Sequence, residues 1–150
     1  MARKKRPREK GRFLGIPYNI ASTEQFYSLG FPEMKLLVDL LYQYNGSNNG
    51  MLSPTYSLLK DRGWAKKKGT LYRAFASLES KGFLVVTRRG WKERGKPTLV
   101  AITWKGIDEP CKGIEYDEAI TCSNVPLSYW CRHPSSWQHK PTLKAVDHTA

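Results

Sequence analysis

Apolar residues recur at helical spacing in PEMKLLVDLLYQYN (32–45), where Leu36, Leu37, Leu40, Leu41 and Tyr44 form one broad stripe. Pro32 suits a first helical position, so a core helix is expected there. The run NGSNNG (45–50) ends it as a turn. Ahead of it, Ser22 with Gln25 three residues on predicts a short capped helix over about 23–29. Phe13, Leu14, Ile16 and Ile20 are expected to pack as an extended segment.

After the turn, Met51 and Leu52 form a very short apolar segment. Ser53-Pro54 then predicts a cap and first turn for a second helix, running to about Asp61 and stopped by Gly63. A third helix is expected from Lys67 or Gly69 to Ser80. At about 100° per residue, Phe75, Leu78 and Ala74 fall within about 60° of Leu71 and make its buried stripe. Gly69, Thr70, Arg73, Ala76 and Ser77 then face outward, with Tyr72 at the edge.

Beyond Gly82 the period changes. FLVVTRR (83–89) and TLVAITW (98–104) are rich in β-branched residues and flank GWKERGKP, which predicts a β-hairpin with a long basic tip. The expected class is α+β: helices followed by a two-stranded hairpin. Residues 105–150 show no period and read as an irregular tail, either packed on the domain or bound to a partner. Residues 1–12 read as a basic arm, and 13–104 as the domain, with its core at 32–104.

Charge changes the picture more than composition does. The formal net charge of +12 predicts attraction to a polyanion. Residues 1–12 carry a net +6 and residues 60–96 a net +9, whereas 13–59 carry −2 and 97–150 carry −1. No apolar run is long enough to span a membrane and no h-region follows the basic N-terminus, so an intracellular, cytoplasmic protein without a membrane partner is expected.

The outward face of the third helix is small and polar with Arg73 at its middle, a pattern that lets an arginine reach the paired acceptors of guanine. Lys66, Lys67 and Lys68 stand at that helix's N-terminus, where cations are unfavourable unless phosphates lie nearby. Arg88, Arg89, Lys92, Arg94 and Lys96 crowd the hairpin against Glu93 alone. Trp91 at its tip either packs on the sheet or wedges against nucleic acid. Arg3, Lys4, Lys5, Arg6 and Arg8 make an arm suited to a minor groove or flanking phosphates.

PTYSLLKDRGW, KKGTLYRAFASLESKGF and FLVVTRRGWKERGKPTLVAITW together resemble the winged helix-turn-helix family over about residues 32–104. The likeness is to its small bacterial and mobile-element members. It implies a recognition helix at about 67–80 in the DNA major groove and a wing at 88–97 on phosphate or minor groove. It also implies a role in transcription regulation, or in replication or partition of the element, on the nucleoid.

Structured RNA is a further possible ligand. So is a protein or ribonucleoprotein complex, which the tail aromatics Tyr116, Tyr129, Trp130 and Trp137 would order upon. Cys111, Cys122, Cys131 and His133 lack zinc-site spacing, and Asp117 and Glu118 lack metal-binding partners. No P-loop or hydrolase motif occurs, so neither a cofactor, a metal nor an enzyme is expected. No heptad or evident exposed apolar helix offers a dimer arm, which leaves the oligomeric state open.

Overall fold

A computed structural model describes residues 11–90 and 95–131. The fold is mixed helix and strand. Five helices, α1 (Tyr18–Ala21), α2 (Glu24–Tyr27), α3 (Phe31–Gln43), α4 (Tyr56–Leu59) and α5 (Lys68–Ser80), precede strands β1 (Leu84–Arg88) and β2 (Leu99–Ile102). A 3₁₀ turn, Lys60–Arg62, extends α4, and another covers Tyr129–Cys131.

The core follows the predicted stripes. Leu36, Leu37 and Leu40 of α3 and Leu71 and Leu78 of α5 are fully buried, and α3 packs directly on α5. Trp64, Phe83, Val100 and Ile102 close the same cluster. β1 and β2 pair antiparallel, with Leu84 opposite Ile102 and Val86 opposite Val100. A bulge falls between Val86 and Arg88, where Thr87 turns its hydroxyl to the carbonyl of Gly50. All four β2 residues are buried, so both faces of that strand are covered.

Leu52 adds a third rung. Its backbone exchanges both hydrogen bonds with Val100, at 3.2 and 2.8 Å. Two carboxamides hold this segment in place. Gln43 donates to the carbonyl of Ser53 (2.8 Å) and accepts its N–H (2.7 Å). Asn49 treats Ile102 the same way.

Two helix starts differ from those expected. Ser22 serves as the C-cap of α1 and bonds to Asn19, so Thr23 caps α2, its hydroxyl accepting from the N–H of Phe26. The stretch 13–20 is accordingly neither extended throughout nor packed throughout: Tyr18–Ala21 is helical and buries Ile20, and Ile16 packs on the core, but Phe13 and Leu14 are exposed. Ser53 has both backbone groups taken by Gln43, which keeps it extended and moves the start of α4 to Tyr56, with Thr55 as N-cap.

Gly63 ends the α4 segment as expected, at φ +93, the left-handed region that favours glycine. Trp64 then enters the core and donates its indole N–H to Asp39 (2.7 Å). Lys35 and Arg62 reach the same buried carboxylate, each at 3.1 Å. This ties the turn before α5 to the middle of α3.

The segment after β2 is irregular but packed. Asp108 exchanges hydrogen bonds with the backbone of Asn49, the N–H of Asp117 bonds to the carbonyl of Thr87, and that of Ser128 to the carbonyl of Thr103. Trp130 packs against the helical core. Gly82, at φ +81, lies under the backbone of Tyr129, where an added Cβ would come within 2.6 Å. Among the described residues, no helix is long and apolar enough to cross a membrane.

Candidate functional site

The lysine run forms the entry to α5. Gly63-Trp64 turns the chain, and Lys66 follows with φ +59, a left-handed conformation unusual for a residue with a side chain. Tyr56 of α4 steadies it, its hydroxyl accepting the Lys66 N–H at 3.1 Å. Lys67 is the N-cap of α5, and no side chain caps the helix there. The first turn holds no acidic residue. Lys68 places its ammonium 5.9 Å from the ring centre of Tyr56 and 5.8 Å from that of Tyr72. All three lysines are exposed.

One turn further, Arg73 is exposed and folds back toward the helix start, donating to the hydroxyl of Thr70 at 3.3 Å. The guanidinium passes beside Gly69, where a Cβ would meet Nη1 of Arg73 at 3.5 Å, an ordinary contact distance. Among the described residues, no carboxylate stands within ion-pair distance of Lys66, Lys67, Lys68 or Arg73. The result is a cationic surface of about one and a half helical turns, mounted on a helix whose other side is sealed in the core.

Three residues expected on the outward or wing surface are instead tied to the protein. Ser77 donates to Glu33 of α3 at 2.8 Å, beside the Lys81–Glu33 ion pair at 3.0 Å. Burial pushes the Glu33 carboxyl up, but the bonds from Lys81 and Ser77 outweigh it and hold the pKa below the usual value. Arg88 spends its guanidinium on the carbonyl of Pro97, at 3.3 and 3.0 Å, and so clasps the base of the hairpin. Arg89 lies 3.6 Å from Glu79, and its N–H bonds to Asp117. Burial raises the Glu79 carboxyl even against that arginine.

Lys96 is exposed at the hairpin. Trp91, Lys92 and Arg94 of the hairpin tip and the arm residues Arg3, Lys4, Lys5, Arg6 and Arg8 lie outside the described residues, as do His133 and Trp137. Cys111, Cys122 and Cys131 are free thiols. Among the described residues, no group of three or more His, Cys, Asp or Glu is arranged to hold a metal ion.

Sequence reasoning missed Tyr56. Tyr56 stands ten residues before Lys66 with no local pattern linking them. Gly69, expected on the outward face, is exposed there beside Arg73. No family model, curated protein or solved structure matches the chain.

Proposed function

We propose that this chain is a winged helix-turn-helix protein that binds double-stranded DNA, with α5 in the major groove and the hairpin as wing. The observation that carries the proposal is the α5 entry: Lys66, Lys67, Lys68 and Arg73, exposed and without carboxylate partners among the described residues, on a helix anchored by its opposite face. A helix N-terminus favours anions through its free N–H groups, and three adjacent cations gain from phosphates what they cost the helix dipole.

Lys66 adds support from strain. A left-handed non-glycine residue costs on the order of 1–2 kcal/mol, and such strain is characteristic of functional turns. The chain order also favours this reading: a helix, a bridging residue at Leu52, two helices, then a hairpin whose second strand pairs with that residue. In this reading Arg73 meets a base edge and the lysines position the helix on the backbone. A transcription regulator and a replication or partition factor of a bacterial mobile element both use such a surface. The alternative, a tail that wraps a partner, loses support over residues 105–131, which bond to the chain's own domain.

Duplex binding titrated at several salt concentrations, with random and genomic fragments, tests the proposal. About eight phosphate contacts predict a log–log slope of roughly −7. Absence of duplex binding near physiological salt would refute it. Tighter binding to structured RNA than to any duplex would replace it with the RNA reading.

A further inference from the structure

Lys66 is the third residue of a turn from Trp64 to Lys67, closed by the Lys67 N–H on the Trp64 carbonyl at 2.9 Å. A positive φ at that position of a turn is ordinarily met by glycine or asparagine. Here a lysine holds it, at φ +59. Glycine would relieve the backbone, but it would also remove a cation from the entry of α5.

Tyr56 supports this turn from a fixed base. It opens α4, and its ring packs against the hydrophobic core. The chain just before it is pinned: Gln43 holds both backbone groups of Ser53, whose hydroxyl lies 3.0 Å from that of Thr55 and 3.3 Å from the carbonyl of Thr98. From there Tyr56 touches the lysine run twice. Its hydroxyl accepts the Lys66 N–H at 3.1 Å, and its ring centre lies 5.9 Å from the Lys68 ammonium, within cation–π reach. One net hydrogen bond is of the same order as the cost of a left-handed residue with a side chain, so the contact to Lys66 offsets the strain.

We infer that Tyr56 is the positioning residue of the proposed DNA surface: it keeps Lys66 left-handed and Lys68 beside its ring, so that both cations meet the duplex backbone in one fixed register. This role presupposes the duplex binding proposed above and adds that the register is set from α4, outside the recognition helix. Were Lys66 to return to the negative φ that residues with side chains prefer, its own side chain and the following Lys67, the N-cap of α5, would be re-aimed. Phosphate contacts place a protein on the duplex without reading its sequence. Loss of the Tyr56 hydroxyl should therefore weaken binding to every duplex alike, unlike loss of a residue that meets a base edge.

The test is a double-mutant cycle on the full chain, read by salt-dependent duplex binding. Tyr56→Phe keeps the ring and its packing and removes only the acceptor. It is expected to bind preferred and random duplexes about fivefold more weakly, the worth of one net hydrogen bond, with a salt slope shallower by up to about 0.9 as Lys66 loses its phosphate. Lys66→Gly adopts the turn unaided but carries no charge. In that background Tyr56→Phe should cost nothing further, because the tyrosine acts through Lys66. A second measurement needs no DNA: hydrogen exchange at the Lys66 amide of the free protein should be about fivefold faster in Tyr56→Phe. A Tyr56→Phe variant that binds like the wild type, losses that multiply in the double variant, or unchanged exchange at Lys66 would each overturn the role of Tyr56 and leave the duplex reading standing. A wild type that binds no duplex would overturn both.

Discussion

The carboxamide of Asn49 grips the backbone of Ile102 on both sides, accepting its N–H at 2.7 Å and donating to its carbonyl at 2.9 Å. The same amino group also reaches the carbonyl of Gly106 at 2.8 Å. Leu52 pairs with Val100 two residues earlier on the strand. In an antiparallel ladder the next hydrogen-bonded partner of Ile102 would be the backbone two residues before Leu52. The Asn49 side chain stands in for that backbone and is itself wholly buried.

Asn49→Ala is therefore expected to cost about 3 kcal/mol, since it leaves several buried backbone groups unpaired at roughly 1–3 kcal/mol each. Asn49→Asp should cost at least as much at neutral pH, because an oxygen then faces the carbonyls of Ile102 and Gly106. Asn48→Ala, at a half-buried residue bonded to Asn45 and Gln43, serves as the control at about 1 kcal/mol. Urea titration with a circular dichroism readout measures all three. A loss under about 1 kcal/mol for Asn49→Ala would mean that water replaces the carboxamide.

Glu33 and Glu79 give acid dependence of opposite sign. The pKa of Glu33 is held below its usual value, so its stabilisation is present above the unfolded value and is lost as pH falls through the lowered one. Glu79 is raised, chiefly by burial, so its ionisation weakens the fold as pH climbs from the unfolded value through the folded one. One oxygen of Glu79 is buried without a hydrogen-bond partner among the described residues. Glu79→Gln is expected to raise the melting temperature by a few degrees at pH 7, and the gain should vanish below about pH 4, where the wild-type carboxyl is itself protonated. Glu33→Gln should lower it at pH 7 and flatten the acid limb. A Glu79→Gln gain that persists unchanged at low pH would point to packing instead of charge.

Much of the fold was legible in spacing. The buried faces of α3 and α5 follow directly from the recurrence of Leu36, Leu40, Leu71 and Leu78, and the hairpin from β-branched runs around a glycine-rich loop. What was not legible depends on long-range partners. Ser22 and Ser53 look like caps locally, but one is used by the preceding helix and the other by Gln43. Arg88 and Ser77 read as free surface groups because nothing nearby in sequence names Pro97 or Glu33 as their acceptors. The segment 105–131 packs through backbone hydrogen bonds, which carry no side-chain period.

Gly69 separates stability from the proposed readout. It sits in the first turn of α5, where alanine should stabilise the helix by about 0.5 kcal/mol. The added methyl would stand at ordinary contact distance, 3.5 Å, from Nη1 of Arg73. Gly69→Ala is expected to raise the unfolding midpoint slightly and to leave duplex binding nearly unchanged, whereas Arg73→Ala should weaken binding to a preferred duplex site about tenfold, with random-sequence affinity nearly unchanged. Equal losses on both kinds of DNA would mean that Arg73 meets phosphate, not a base.

The two cation groups near the hairpin and the α5 entry should separate in one experiment. Lys66, Lys67 and Lys68 make no ion pair with the described residues, so replacing all three by alanine should leave the melting temperature close to that of the wild type. If each meets a phosphate, the salt slope for duplex binding should become shallower by about 2.7, at 0.9 per contact. Arg88 is different, because its guanidinium is committed to the carbonyl of Pro97. Arg88→Ala should cost about 1–2 kcal/mol of stability and leave the slope nearly unchanged. A triple lysine variant with an unaltered slope would remove the α5 entry from the interface, while a shallower slope for Arg88→Ala would show that the hairpin arginine releases Pro97 to meet the backbone.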